Sequence, residues 1–295
     1  MPRTQINRLI EILSIPTFFN QEHDLLRYLI KYLKTTDYTF TVDITGNLYI
    51  TKGVADIYPC VCAHTDSVHE NDDITICEIA LKDSTRLIGK TSNGEQCGIG
   101  ADDKAGVFIC MELLEILPAV KVALFASEEF GCIGSQNSDP DFFKNVGYVI
   151  EFDCPSFNSV SLYSNGVQLF DKQADFYQTI KPILTEHMGA EPILCHHPYT
   201  DVWALKCQYL FSCINISTGY YKYHQDNEYV VVDQVIKAIT MGKLCIEALG
   251  NKFYELVPSI REAKQYPISA RSIAAAAAGA FDLHPSRYKD IINEL

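Results

Sequence analysis

The fold is decided by residues 98–152, which read GIGADDKAGVFICMELLEILPAVKVALFASEEFGCIGSQNSDPDFFKNVGYVIEF. A glycine-rich loop opens this stretch, and apolar residues then recur at helical spacing over about 105–117. Two apolar runs follow, 120–126 and 146–152, and each has the length and composition of a strand buried on both faces. This alternation of helix and strand predicts an α/β fold, a three-layer sandwich with a mostly parallel central sheet flanked by helices.

The same patterns extend the prediction to the rest of the chain. Helices are predicted over 5–34, where Ser14-Ile15-Pro16-Thr17 separates two of them, over 175–188 and over 233–249. Strands are predicted over 40–44 and 48–51, which Gly46-Asn47 joins as a hairpin, over 58–63 and over 209–216. Residues 251–295 are predicted to form a helical appendage, and the second of its two helices opens at Pro285.

Composition and charge exclude several classes of protein. The chain has 295 residues, of which 47% are hydrophobic, and this is enough for a large buried core. Its formal net charge of -13 argues against nucleic acid as a partner, because phosphate binding needs a basic surface. The longest apolar run, 273–281, is far shorter than the about 20 residues that span a bilayer, so we expect no membrane partner.

The cysteines and the first residues of the chain indicate a reducing compartment. Eleven cysteines are scattered without any CxxC pair, and several lie in apolar runs such as 58–63, where a free thiol acts as a small hydrophobe. The first residues lack the apolar segment of a signal peptide. We therefore expect a cytoplasmic protein.

Five polar sites carry residue types that bind metal ions or transfer protons. They are His64-Thr65-Asp66, Asp102-Asp103, Glu128-Glu129, Asp153 and His224. Each one alone has an ordinary explanation, such as a capped loop, a helix N-cap or a pair of solvated carboxylates. Three of the five sites come directly after predicted strands, however, and ligands gather at the carboxyl ends of the strands in a parallel sheet. The positions therefore predict one shared site.

The order of these motifs resembles that of the di-zinc exopeptidase superfamily, which includes peptidase T, leucyl-type and tetrahedral aminopeptidases, carboxypeptidase G and succinyl-diaminopimelate desuccinylase. The resemblance covers residues 5–249. Its most specific parts are 100–106 (GADDKAG) and 13–17 (LSIPT), which look like the corresponding segments of peptidase T. It implies a phosphorylase/hydrolase-like α/β fold and a metal-dependent exopeptidase activity.

The resemblance also implies a role for each polar site. It makes His64, Asp102, Glu129, Asp153 and His224 the ligands of two Zn²⁺ ions, Asp66 the carboxylate that orients His64, and Glu128 the general base. Alignment with the motif, rather than spacing, selects Asp102 over its neighbour Asp103 as the ligand shared by both ions. Co²⁺ or Mn²⁺ suits the same donors. Two zinc ions bring four positive charges, which three ligand carboxylates and a bridging hydroxide neutralise, and a neutral cluster costs little to bury.

The expected reaction follows from these roles. Two metal ions in one cluster lower the pKa of a shared water and polarise the scissile carbonyl, while Glu128 takes the proton of that water and returns it to the leaving amine. Many relatives insert a lid domain between the ligands equivalent to Asp153 and His224, but only residues 154–223 lie between them here. We therefore expect a catalytic domain over residues 1–250 without a lid. Since lidless relatives are mostly aminopeptidases, we expect short peptides as substrates.

Two other functions stay open at this point. An amidohydrolase or deacylase acting on N-acyl amino acids would use the same metals and the same base. An inactive binding or scaffold module is a different class of protein on the same fold, and the complete set of ligand types argues against it. The oligomeric state is not indicated by the sequence.

The segment between Asp153 and His224 contains two further motifs. Thr200-Asp201 is typical of a helix cap, and it also resembles a Ser/Thr-Asp element near the substrate pocket of lidless aminopeptidases, so both residues are candidates for substrate binding. Cys195-His196-His197 suggests a further metal site. Adjacent residues of a strand face opposite sides, however, and this favours a role at the surface or at the rim of the cleft.

Overall fold

A computed structural model describes residues 3–18, 21–71, 73–210, 212–254 and 288–293 of the protein. The helices are α1 (Arg3–Leu13), α2 (His23–Leu33), α3 (Ala101–Ile116), α4 (Ile133–Gln136), α5 (Pro140–Phe143), α6 (Asp175–Met188), α7 (Asp201–Tyr209), α8 (Val232–Leu249) and a last short helix, Lys289–Asn293. The strands are β1 (Thr39–Val42), β2 (Leu48–Lys52), β3 (Tyr58–His64), β4 (Thr75–Ala80), β5 (Thr85–Lys90), β6 (Gln96–Cys97), β7 (Val120–Phe125), β8 (Val146–Cys154), β9 (Ser159–Ser164), β10 (Val167–Gln168), β11 (Ile193–His197), β12 (Ser212–Ser217), β13 (Tyr220–Tyr221) and β14 (Tyr229–Val231).

A nine-stranded sheet forms the middle layer, in the order β1-β2-β7-β3-β8-β12-β9-β10, with β11 paired to β9. Its four central strands, β7, β3, β8 and β12, run parallel. Antiparallel strands extend it on both sides, and β1 and β2 form the predicted hairpin. Strands β3, β7 and β8 are buried along their whole length, as their uninterrupted apolar runs predict.

Neighbouring residues of β8 show that helices cover both faces of the sheet, because successive side chains of a strand point to opposite sides. The ring of Phe152 lies against Gly242 of α8, and α8 packs on α3. The carboxylate of Glu151 accepts hydrogen bonds from the backbone N–H groups of Asp201 and Val202 at the start of α7. Helices α3 and α8 therefore form one outer layer and α7 belongs to the other, which confirms the predicted three-layer sandwich.

Two predicted elements differ from those observed. The predicted strand 209–216 begins too early, because α7 continues to Tyr209 and β12 runs from Ser212 to Ser217. The helix predicted from about residue 105 is the regular part of α3, whose first turn contains Asp102 and Asp103 with non-helical backbone angles. The predicted start of a helix at Pro285 lies outside the described residues, whereas Lys289–Asn293, which falls within the same predicted helix, is helical.

The sequence did not indicate a second, antiparallel sheet of five strands, ordered β13-β14-β5-β4 with β6 paired to β5. Three of its strands are only two or three residues long, so no alternating pattern can develop in them. Strands β13 and β14 are antiparallel neighbours, and the segment between them carries His224. This sheet therefore positions one predicted metal ligand beside the ligands of the central sheet.

Two tyrosines of the segment after α8 pack against the main body. Tyr254 is buried, its ring lies 5.7 Å from that of Tyr148 and 5.4 Å from that of Phe176, and its hydroxyl donates to the Leu249 carbonyl. Tyr288 is also buried and lies against Gly46. The domain boundary at residue 250 stays a prediction. In the described part of the chain no helix is both long and apolar enough to cross a membrane.

We expect Tyr254→Ala to lower the free energy of unfolding by about 3 kcal/mol, because it removes a buried aromatic side chain and leaves a cavity. Tyr254→Phe is the matched control, since it keeps the ring and removes only a hydrogen bond, at a cost of about 1 kcal/mol. Urea unfolding of the two variants measures the difference. Equal stabilities would show that the ring contributes nothing to the packing.

Candidate metal centre

Three neighbouring parallel strands bring the predicted site residues to one edge of the central sheet. His64 is the last residue of β3, and Asp153 is the last but one of β8. Glu128 and Glu129 lie in the loop that follows β7. Because β7, β3 and β8 are adjacent and parallel, their carboxyl ends meet at the same edge.

His64 is the centre of one group of donors. Its Nε2 lies 3.2 Å from Asp102 Oδ1 and 3.5 Å from Asp153 Oδ1. Its Nδ1 lies on the opposite side of the ring, 3.1 Å from the Asp66 carbonyl oxygen and 3.4 Å from Asp66 Oδ1. Asp66 therefore holds the ring so that Nε2 faces two carboxylates, an arrangement typical of metal-binding histidines.

His224 is the centre of a second group. Its Nε2 lies 2.9 Å from Glu129 Oε1 and 3.3 Å from Asp102 Oδ2. The two oxygens of Asp102 therefore face different histidines, Oδ1 towards His64 and Oδ2 towards His224. This is the geometry that a carboxylate shared by two ions requires.

The donor set fits two metal ions. Two donors that bind one tetrahedral zinc ion at about 2.0–2.2 Å lie roughly 3.4 Å apart, and the histidine–carboxylate distances of the two groups range from 2.9 to 3.5 Å. All donors are imidazole nitrogens and carboxylate oxygens, which suits a catalytic rather than a structural zinc site.

The pKa values of the side chains in this site also indicate that nearby positive charge would stabilise it. Burial and the nearby Asp102 raise the pKa of Glu129 to about 7. Burial also raises the pKa of Asp153 above its usual value. The pKa of His64 is lowered by burial, but its hydrogen bonds to Asp102 and Asp153 outweigh this effect and raise it well above the usual value. These buried groups thus hold protons more tightly than exposed groups of the same kind, and nearby cations would offset the same buried negative charge.

Asp103 lies beside Asp102 but is used differently. It is fully buried and within 4.8 Å of donor atoms of His64 and Asp153. Its two oxygens accept hydrogen bonds from the backbone N–H groups of His64 and Gly106, at 3.3 and 3.1 Å. These bonds fix the end of β3 to the start of α3, while the neighbouring Asp102 faces both histidines. The geometry therefore favours Asp102 as the bridging residue.

Glu128 stands next to the two donor groups. Its Oε2 lies 3.9 Å from His64 Nε2, and its Oε1 is 3.4 Å from the Cys132 thiol, which donates to it. Burial raises the pKa of Glu128 well above its usual value. A carboxyl group with a raised pKa close to a pair of metal sites is suited to accept a proton and to return it.

Asp66 connects the two halves of the site. Besides facing His64, its carboxylate accepts hydrogen bonds from the backbone N–H groups of Glu128 and Glu129, at 2.8 and 3.1 Å. The buried Asp66 side chain thus fixes both the orientation of the His64 ring and the position of the loop that carries Glu128 and Glu129. The Asp66 carboxylate contacts His64 and the backbone of Glu128 and Glu129, and it belongs to neither donor group.

We expect Asp66→Asn to weaken Zn²⁺ binding by about 10- to 100-fold, since partners that orient a metal-binding histidine have effects of this size. Competition with a chromophoric chelator measures the affinity. Glu112→Gln is the matched control, because Glu112 is a buried carboxylate near the other end of α3 that binds Gln5 and Arg8. Equal losses in the two variants would contradict a specific role of Asp66.

Sequence reasoning missed three residues that support the site. Glu228 is fully buried and accepts hydrogen bonds from the backbone N–H groups of Ile99 and Asp102. The Tyr220 hydroxyl donates to Asp153 Oδ1, and Asn215 Oδ1 accepts from the Asp153 backbone N–H. Glu228 lies four residues after His224, but nothing in the sequence shows that it contacts the loop before α3.

A cavity of about 230 Å³ lies over the cluster. Its wall includes Asp102, Glu128, Glu129, Asp153 and His224, together with the aromatic rings of Tyr199, Tyr220 and Tyr223.

The two candidate substrate-binding residues differ in position. Thr200 lies in the wall of the cavity and precedes α7, but its hydroxyl donates to Ser164 Oγ and does not cap the helix. Asp201 is fully buried and, in the part of the chain that the structure describes, does not line the cavity. Burial raises the pKa of Asp201 to about 8. Substrate binding by Thr200 and Asp201 stays a prediction.

Solved structures share this fold. Aminopeptidase PepT from Bacillus cereus matches with a TM-score of 0.69 and 14% identity over 83% of this chain and 98% of its own. A tripeptidase from Staphylococcus aureus matches with a TM-score of 0.65 and 11% identity over 82% and 97% of the two chains. The TET1 peptidase of Pyrococcus horikoshii matches with a TM-score of 0.60 and 14% identity over 81% and 98%. At these identities the matches show the fold.

The sequence itself matches the profile of peptidase family M28 over residues 48–230. This range contains every residue of the two donor groups and Glu128. Fold, site and profile together define a hydrolase of the peptidase class. The chain belongs to peptidase family M28. A search of curated proteins found no match.

Proposed function

We propose that the protein is a metal-dependent aminopeptidase that hydrolyses short peptides with a free N-terminus. One observation supports this most strongly: two donor groups share Asp102, and Glu128 stands beside them in the wall of the same cavity. A binding module would have no need for a carboxyl group placed to exchange protons next to a metal pair.

Two Zn²⁺ ions are the proposed cofactors, and Co²⁺ or Mn²⁺ would suit the same donors. His64, Asp102 and Asp153 would hold one ion, and His224, Asp102 and Glu129 the other. When bound, the ions would supply Lewis acidity, which activates a water molecule and polarises the scissile carbonyl. The protein's own side chains would bind and orient the substrate and would transfer the protons.

Glu128 is the proposed general base. Its carboxylate would accept the proton of the attacking water and then donate it to the leaving amine. Asp66 acts earlier, because it positions the Glu128 backbone and the His64 ring before substrate arrives. Tyr220 supports the same centre by its hydrogen bond to Asp153.

The cavity supports a small substrate with a positive end. Its volume of about 230 Å³ is below the roughly 300–1,000 Å³ of pockets for drug-sized ligands. With three of the four described wall carboxylates taken by the proposed ions, Glu128 is the carboxylate left to attract an α-ammonium group. The matched aminopeptidase and tripeptidase structures are named for activities of this kind.

A panel of three dipeptides of the same sequence tests this function: free, N-acetylated and C-amidated. We expect the zinc-loaded protein to cleave the free and the C-amidated dipeptides and to leave the N-acetylated one largely intact, because acetylation removes the positive charge of the N-terminus. Faster turnover of the N-acetylated peptide would favour the deacylase instead. Loss of metal binding together with all turnover would favour an inactive binding module.

We further propose a cytoplasmic location. None of the eleven cysteines, all of which lie in the described part of the chain, forms a disulfide bond, which suits a reducing compartment. The TET1 peptidase assembles into a tetrahedron or an octahedral shell, but the oligomeric state of this chain is open.

A further inference from the structure

A second group of donors, made of sulfur and nitrogen, lies beside the cavity. Cys154 Sγ is 3.9 Å from His197 Nε2, and Cys195 Sγ is 3.8 Å from the same nitrogen. The three donor atoms all lie within 4.8 Å of one another. None of them belongs to the two groups that share Asp102.

The strands explain why these three side chains meet. Cys195 and His197 are two residues apart on β11, and although the pairing register shifts between Cys195 and His196, the Cys195 sulfur and the His197 ring meet on one side of the strand. His196 faces the other way, where its ring contacts Tyr163 and its Nε2 accepts a hydrogen bond from the Gly166 backbone N–H. The sequence argument against a site made of three consecutive residues therefore holds for His196. It does not hold for Cys195 and His197, which Cys154 joins from the end of β8.

The orientation of His197 is fixed by a third strand. Its Nδ1 lies 2.6 Å from the hydroxyl oxygen of Ser161 on β9. With Nδ1–H as the donor in this bond, the lone pair of Nε2 faces both sulfur atoms. A hydrogen bond at the second ring nitrogen is the usual way in which proteins hold a metal-binding imidazole.

The distances also match a metal ion. A tetrahedral zinc ion with Zn–N of about 2.05 Å and Zn–S of about 2.3 Å places nitrogen and sulfur roughly 3.6 Å apart. The two observed distances exceed this value by only a few tenths of an ångström. We propose that Cys154, Cys195 and His197 form a third metal site, which binds a thiophilic divalent ion such as Zn²⁺ and is separate from the two sites that share Asp102.

The position of this site allows exchange with solvent. Cys195 and His197 are only half-buried, and His197 also lines the cavity over the cluster. Three donors come from the described chain, so water or a bound ligand from the cavity would complete the tetrahedron. An ion held here would lie at the wall of the substrate cavity, which His197 lines. One of its ligands, Cys154, directly follows Asp153 in the sequence.

Cobalt spectroscopy distinguishes this site from the other two. Thiolate ligands give Co²⁺ an intense charge-transfer band in the near ultraviolet, whereas nitrogen and oxygen donors give only weak visible bands. The full chain, kept reduced with a phosphine and titrated with Co²⁺, is expected to develop the thiolate band, with an intensity at saturation that corresponds to one thiolate-bound ion per chain. Cys154→Ser and Cys195→Ser are each expected to reduce its intensity by half or more, and His197→Gln to weaken the binding that produces it.

Two control variants separate this proposal from the proposed function. Cys207→Ser changes an exposed cysteine of α7 and is expected to leave the band intact. His64→Ala is expected to lose ions of the Asp102 cluster while it keeps the thiolate band. Zinc content after dialysis is expected to be one ion lower in Cys195→Ser than in the wild-type protein, whatever the total.

Two outcomes would overturn the third site. One is the absence of a thiolate band at saturating Co²⁺ while thiol titration shows Cys154 and Cys195 free and reduced. The other is a band of unchanged intensity in folded Cys154→Ser and Cys195→Ser proteins, which would place the thiolate ligands elsewhere.

Discussion

Glu128→Gln is expected to lower kcat by about 10²- to 10⁴-fold, the range found when a general base is removed. The substitution keeps the size and shape of the side chain and removes its basicity. Because the carboxylate stands beside the donor groups without completing either of them, metal content is expected to stay at the wild-type value. Turnover of a free dipeptide and metal analysis after dialysis measure the two effects.

The adjacent glutamate provides the matched comparison. Glu129→Gln makes the same chemical change one residue later, but Glu129 pairs with His224 in the second donor group. We expect this variant to lose about one ion per chain and to regain activity when excess Zn²⁺ is added. Near-normal turnover in Glu128→Gln, or metal loss equal to that in Glu129→Gln, would mean that the two roles are assigned to the wrong residues.

Asp102→Asn is expected to abolish the activity, because Asp102 is the carboxylate shared by both donor groups and its loss weakens the binding of both ions. Wild-type protein dialysed against zinc is expected to retain two ions at the cluster. The asparagine variant is expected to retain neither at the same zinc concentration, since its side chain offers a single, neutral oxygen in place of the two that face His64 and His224.

A chelator supplies the corresponding test on the unaltered chain. Activity of the wild-type protein is expected to disappear with the metal and to return when Zn²⁺ is restored. Asp102→Asn is expected to stay inactive at the zinc concentrations that restore the wild-type activity. The Cys195→Ser background removes the proposed third site from the count. Two tightly bound ions in the Asp102→Asn variant would show that Asp102 does not bridge the two ions. This result would favour Asp103 as the bridging ligand.

The central part of the fold was predictable because its sequence pattern is local. Strands β3, β7 and β8 are uninterrupted apolar runs, and the polar residues that follow them, such as His64 and Glu128, mark the edge where parallel strands end. Once the strands are adjacent, the shared position of these residues follows from topology alone. The predictions of the family and of the fold, both of which are confirmed, depended on this pattern.

The remaining features depend on contacts between distant parts of the chain. Glu228 meets the backbone of Ile99 and Asp102 across more than 120 residues, and β14 pairs with β5 across a similar distance. Cys154 meets Cys195 only because β11 lies parallel to β9 at the side of the sheet. Short strands and single side chains of this kind leave no periodic signal. The sequence therefore predicted the residues of the cluster and the orienting residue Asp66, but not Glu228, Tyr220 and Asn215, which also support the site.

The cluster draws its ligands from two sheets, since His224 comes from the β13–β14 segment and His64 and Asp153 from the central sheet. Ion binding would therefore act as a crosslink between two sheets that are otherwise joined by packing and by hydrogen bonds such as the one from the Tyr220 hydroxyl to Asp153. The free energy of binding would be added to the free energy of unfolding and would couple the opening of the two sheets. Amide hydrogen exchange in β5 and β14 should then slow on addition of zinc, and the small sheet should open before the large one when zinc is removed.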